Sequence, residues 1–263
     1  MESYSNSIMY YHNIDIMLNI YKTKSMKKLN KEDKEYNPSF QDHQIHLFKH
    51  FLFCGGTGLG KSNAVINLIL TMQGCFSHIQ IYTADPDEKL YRMLKEKLKD
   101  QITIEDIAKV PHLSEQKAGR GQQLIIFDDF ITSTRRTMTI LEEYAIRARN
   151  KLFTCCYLTQ SYYACPKKIR EQIRYLVLLK LCDKRNFGMI VSTLDADISN
   201  EVIRKVIKNA SKEELNVCLI DLQTKNINKM IRRNFGLDYY ILEDNDGNTI
   251  ANPVLLNGSG IIN

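Results

Sequence analysis

No apolar run in this 263-residue chain approaches the ~20 residues of a membrane-spanning helix, which excludes a helical membrane protein and leads us to expect a soluble one. The start Met1-Glu2-Ser3-Tyr4 lacks the basic lead and apolar stretch of a secretory signal, so a reducing compartment is expected. The seven cysteines are odd in number and never spaced Cys-x-x-Cys, which excludes a disulfide framework and a paired-cysteine zinc site. Cys155 and Cys156 are read as core filling within a strand. Nothing repeats at a fixed period, which removes solenoids and propellers. Neither sign of charge dominates, with 36 Lys and Arg against 30 Asp and Glu and a net +6. That balance is compatible with a polyanionic partner without establishing one.

What is present is alternation. Residues 1–45 are polar and carry the lysine-dense segment Lys22–Lys34, so they are expected to form an appended N-terminal arm, either solvated or touching phosphates. A core domain is expected over 46–235, where short apolar strands alternate with helical stretches, the pattern of a mainly parallel sheet flanked by helices. Strands are expected at His50–Cys54, Ile79–Thr83, Gln123–Phe127, Leu152–Leu158, Tyr175–Leu181 and Asn216–Leu222. Helices are expected over Ser62–Met72, Glu88–Leu98, Arg136–Ala148, Pro166–Arg174 and Asn200–Asn209, with Glu88 pairing with Arg92. Lys117–Gly121 reads as an exposed loop. Residues 236–263 are expected to be a C-terminal tail with a β-hairpin turning near Asp246-Gly247. Asp244 and Asp246 lack the spacing of a calcium loop.

The segment Gly55-Gly56-Thr57-Gly58-Leu59-Gly60-Lys61-Ser62 satisfies G-x-x-x-x-G-K-[ST], a match expected by chance in roughly one chain in a hundred of this length. It directly follows an apolar strand and opens a helix, so backbone N–H groups and the helix N-terminus face a single point suited to a polyphosphate. Lys61 is expected to reach the β- and γ-phosphates of ATP, and Ser62 to offer its hydroxyl to magnesium.

The run Leu124-Ile125-Ile126-Phe127-Asp128-Asp129 is the apolar strand ending in acid that accompanies such a loop. Asp128 is then a magnesium ligand and Asp129 the group that orients and deprotonates water; the alternative is that tandem acids cap the next helix. Gln160 lies just past the strand Leu152–Thr159, either touching the γ-phosphate or exposed in a turn. Arg147 and Arg149 end the preceding helix, where a guanidinium either neutralises the helix terminus or projects toward a neighbour's nucleotide. They are expected near the C-terminal edge of the sheet.

With those residues in place, the stretch from about Phe51 to Phe235 resembles the FtsK/HerA-type genome-packaging ATPases of poxviruses, other large DNA viruses and virophages. The resemblance rests on the glycine-rich segment, on Tyr82-Thr83-Ala84-Asp85-Pro86 with Leu90-Tyr91, on Asp128-Asp129, on Arg147-x-Arg149-Asn150 and on Leu158-Thr159-Gln160-Ser161. It continues through Pro166-Lys167-Lys168-Ile169-Arg170 and Leu219-Ile220-Asp221-Leu222 to Arg232-Arg233-Asn234-Phe235. It implies an α/β P-loop NTPase of the RecA-like class that hydrolyses ATP with magnesium, with Gln160 as sensor and Arg149 or Arg147 as trans-acting finger. Asp129 departs from the glutamate common at its position. The implied function is a motor that drives double-stranded DNA into a preformed viral capsid. Its implied partners are DNA, capsid proteins and copies of itself in a pentameric or hexameric ring, in host cytoplasm or viral factory or with the virion. The rival expectations are a cellular or plasmid-type DNA translocase of the same superfamily, and a nucleotide-binding assembly scaffold with little hydrolysis.

Overall fold

The computed structural model describes residues 36–116, 121–180, 184–194, 198–244 and 246–256. Lys22–Lys34 and most of the loop expected at Lys117–Gly121 lie outside the described residues. In chain order the elements are α1 (Phe40–His43), β1 (His50–Cys54), α2 (Lys61–Thr71), β2 (His78–Thr83), α3 (Lys89–Leu98), β3 (Ile102–Asp106), β4 (Gln123–Phe127), α4 (Arg135–Arg147) and β5 (Phe153–Thr159). They continue as α5 (Lys167–Arg170), β6 (Ile173–Leu178), α6 (Lys184–Thr193), α7 (Asn200–Ala210), β7 (Cys218–Asp221), β8 (Ile231–Arg233), β9 (Tyr239–Glu243) and β10 (Thr249–Leu256).

All strands join one ten-stranded sheet in the order β10-β9-β8-β7-β6-β1-β5-β4-β2-β3. The six strands from β6 to β3 pair in parallel; β7 to β10 extend the sheet antiparallel beyond β6. Parallel strands are covered on both faces and read as continuous apolar runs, and β1, β4 and β5 are buried at every position. Their alternating side chains feed two cores. Leu52, Ile125, Cys155 and Tyr157 meet α4, α6 and α7 on one face, and Phe53, Ile126, Cys156 and Leu158 meet α2 and α3 on the other. The adjacent cysteines therefore fill opposite cores.

Several boundaries depart from expectation. Residues 36–45 belong to the same compact unit as the sheet rather than to an arm, with His43 and Ile45 fully buried and the buried Arg232 guanidinium donating to the His43 carbonyl. The hairpin β9–β10 continues the central sheet through β8. The helix expected from Pro166 to Arg174 is the single turn α5, because β6 begins at Ile173. Arg174 therefore lies in a strand and forks onto Asp221 of β7, Nη2 to Oδ2 at 2.8 Å. The edge strand β3, the helix α6 and the three-residue β8 lie outside the expected elements, although Phe187, Ile190 and Val191 give α6 a buried stripe at helical spacing. No Glu88–Arg92 ion pair forms among the described residues.

Candidate nucleotide-binding site

The parallel strands point their C-terminal ends one way, and the chain leaves β1, β4 and β5 there into three loops. After β1, Gly55 continues the ladder, its N–H donating to the Thr159 carbonyl at 3.1 Å. A Cβ on Gly55 would stand 2.7 Å from Leu179 Cβ, so only glycine fits without backbone movement. Gly58 and Gly60 take positive φ of 74° and 87°, a region that L side chains adopt only with strain. Gly60 is the N-cap of α2 and supplies no side-chain acceptor, which leaves the first-turn N–H groups without a side-chain cap and directed at any anion over the loop. Lys61 folds back across the loop, its Nζ donating to the carbonyls of Gly55 at 3.1 Å and Gly56 at 3.2 Å.

Lys61, Ser62, Asp128, Asp129 and Gln160, drawn from all three loops, line one cleft of about 380 Å³ together with Asp85 and Glu88. That volume is in the range of small-molecule sites. A second cleft of about 350 Å³ lies on the other flank of the loop, between Leu59, Leu179 and the turn containing Leu215.

Asp128 is only 7% exposed, and burial holds its carboxyl above the usual carboxylate range, against the lowering effect of the Tyr91 hydroxyl and the Lys61 ammonium. Tyr91, projecting from α3 and 2% exposed, donates to Asp128 Oδ2 at 2.5 Å. Burial, followed by the Asp128 charge, pushes its phenol far up, and the nearby Ser62 hydroxyl works against that rise. Ser62 and Asp128, expected as the metal ligands, line the same cleft. The sequence offered only the adjacency of Leu90 and Tyr91; nothing in it placed the hydroxyl on Asp128. Glu88, expected to pair along its helix, instead faces the cleft, where burial, followed by Asp128 and Asp85, raises its carboxyl.

Asp129 adopts a left-handed backbone, φ 48° and ψ 38°, and makes no side-chain cap; Thr134 caps α4 instead, accepting from the Thr137 N–H. The helix-capping alternative for Asp129 is therefore not what the side chain does. Its Oδ1 accepts from Gln160 Nε2 at 3.1 Å, so the two residues proposed to act on water are in direct contact.

The two arginines require a correction. They precede β5, whereas Gln160 follows it, and β5 runs parallel to β1 and β4. Arg147 and Arg149 therefore lie at the N-terminal edge of the sheet, roughly 23 Å from the cleft along seven residues of strand. The charge of Arg149 is felt by His50, the first residue of β1, which fits that placement. Arg147 is exposed and lies 3.7 Å from Glu143 one turn back on α4. The physical reason is simple: in a parallel sheet the crossover helix carries the chain back from one edge to the other.

No protein-family model matches the sequence, and no curated protein matches it. Among solved structures, the chain is similar to the genome packaging NTPase B204 from Sulfolobus turreted icosahedral virus 2 in complex with ATP-gammaS, with a TM-score of 0.51 and 15% identity over 72% of this chain and 98% of that one. Also similar are the DNA-packaging ATPase B204 from Sulfolobus Turreted Icosahedral Virus, with a TM-score of 0.49 and 12% identity over 72% and 98%, and the cytoplasmic domain of the Type VII secretion ATPase EccC of Thermomonospora curvata, with a TM-score of 0.49 and 10% identity over 73% and 25%. The first likeness shows the fold: a mainly parallel α/β sheet with flanking helices, as in P-loop ATPases.

Proposed function

We propose that this protein is an ATPase whose turnover drives double-stranded DNA into a preformed viral capsid. The observation that supports this reading is the convergence of Lys61, Ser62, Asp128, Asp129 and Gln160 on one cleft at the C-terminal ends of β1, β4 and β5, in a fold shared with a genome packaging NTPase.

In this reading the loop Gly55–Ser62 and the N-terminus of α2 cradle the phosphates, with Lys61 exchanging its carbonyl partners for β- and γ-phosphate oxygens. The second cleft receives the base and ribose. Ser62 and Asp128 would hold magnesium; both are oxygen donors lining the same cleft, a set that suits a small hard cation. The ion supplies charge neutralisation at the phosphates. Asp129 takes the proton from the attacking water, and Gln160, bonded to it, holds that water in line. Neither Arg147 nor Arg149 reaches its own subunit's cleft, so either acts only in a neighbour's site, in a head-to-tail ring of the pentameric or hexameric size. The setting is host cytoplasm or viral factory.

The test is ATP turnover by the purified chain with magnesium, with and without linear duplex DNA. Strong stimulation is expected. Turnover indifferent to DNA overturns the motor reading, and tight ATP binding without turnover leaves the assembly-scaffold reading. Retention on capsid shells of the same genome separates packaging from a plasmid-type translocase.

A further inference from the structure

The loop that starts at Gln160 does not end at the nucleotide cleft. Lys184 and Arg185, both exposed, open α6 just beyond the end of β6. The loop after β5 and the first turn of α6, which comes after β6, belong to the strands on either side of β1. They are tied together over that edge by Asn186, which is 6% exposed and whose Oδ1 accepts from both Ser161 Oγ at 3.0 Å and the Tyr163 N–H at 2.8 Å. On top of this tie, Tyr163 is 48% exposed. The Arg185 guanidinium lies over its ring at 3.5 Å.

We propose that the Tyr163–Arg185 platform, with Lys184 at the start of the same helix, is the surface that grips the phosphate backbone of duplex DNA. Asn186 passes the state of Gln160 to that grip. The inference rests on the DNA-motor reading above. The chemistry favours backbone over bases: the guanidinium occupies a face of the ring, so the tyrosine aims a charge rather than offering itself for stacking, and a planar guanidinium matches phosphate oxygens in pairs. The linkage is short. Gln160 contacts Asp129, and one residue later Ser161 contacts Asn186. A displacement of Gln160 as phosphate is lost is therefore carried along the same short loop to Tyr163.

The test is binding of a 30-base-pair linear duplex by fluorescence anisotropy across a salt series, together with the ratio of DNA-stimulated to unstimulated ATP turnover. For Arg185→Gln we expect the slope of log affinity against log salt to fall by about one, affinity near physiological salt to fall roughly 3- to 10-fold, and the stimulation ratio to fall with it. Arg185→Lys should restore the slope. Tyr163→Leu should lower affinity with an unchanged slope, because a phenol neutralises no phosphate. If the wild type binds and responds to duplex DNA while Arg185→Gln and Tyr163→Leu match it in slope, affinity and stimulation, the platform is wrong and the motor reading stands. If the wild type turns over ATP but neither binds duplex nor responds to it, the motor reading fails and the platform with it. Preference for single-stranded over duplex DNA, lost in Tyr163→Leu, would overturn the backbone grip in favour of base stacking.

Discussion

Replacing Tyr91 by phenylalanine removes one hydroxyl and keeps the ring in its core, so it isolates the 2.5 Å bond to Asp128 Oδ2. The bond links a residue 2% exposed to a carboxylate 7% exposed, where water cannot replace the lost donor. A buried hydrogen bond to a charged group contributes about 1.5–3 kcal/mol, and a domain of this size loses roughly 2–4 °C in Tm per kcal/mol. Tyr91→Phe should therefore lower Tm by roughly 3–12 °C at neutral pH. The pH dependence carries a sign. Burial already raises the Asp128 pKa above its ordinary value, and the phenol is the largest influence lowering it; without the phenol it rises further. A carboxylate raised in the folded state is favourable at low pH, and that contribution is lost as pH climbs through the folded pKa. The deficit of the variant should thus be large at pH 7.5 and small at pH 4.5. Urea unfolding of both proteins at the two pH values measures it. A deficit under about 0.5 kcal/mol, or one equal at both pH values, would show that the contact is geometric and does not hold the carboxylate.

Four further outcomes are expected. Lys61→Ala should abolish the thermal shift given by ATP with magnesium, since the loop loses its one fixed cation; an undiminished shift would place nucleotide elsewhere. Asp129→Asn should keep nucleotide affinity and cut turnover by ~10²-fold or more, read by binding and single-turnover assays; loss of affinity without loss of turnover would reverse its role with that of Asp128. His50, pushed down to about 4 by burial and then by Arg149 and Lys49, accepts from the Cys155 N–H and is folded neutral, so its contribution is present above pH 6.5 and lost as pH falls toward 4. His50→Asn should flatten the acid limb of stability by up to ~1.4 kcal/mol per pH unit between those values, and an unchanged limb would refute the assignment. Finally, because Arg149 lies at the edge opposite its own cleft, Arg149→Ala chains mixed with Lys61→Ala chains should recover turnover that neither shows alone; confirmed subunit exchange without recovery would exclude Arg149, and the same mixture with Arg147→Ala would test the other candidate.

Local pattern made a great deal of this protein legible. The apolar runs of β1, β4 and β5 announce a parallel sheet because strands covered on both faces need no polar side, and β1 and β4 fall where the runs predict. The glycine-rich loop is readable because its glycines answer to backbone geometry, a steric wall at Leu179 and positive φ at Gly58 and Gly60, that holds whatever the rest of the chain does. Edge and antiparallel strands were less legible: β3 and β8 are short and half polar, and what makes them strands is an open neighbour in the sheet rather than a period of their own. Distances across the sheet were not legible at all. Arg149 and Gln160 are eleven positions apart in the chain but sit on opposite edges, because a strand lies between them; Tyr91 and Asp128 are 37 positions apart and are joined by a hydrogen bond, because β2 and β4 pair side by side and α3 folds back over them. The sequence by itself determined which residues carry phosphate chemistry, since that depends on local backbone and residue type. Only the tertiary structure decided which of them meet, since that depends on the order and direction in which the strands pair.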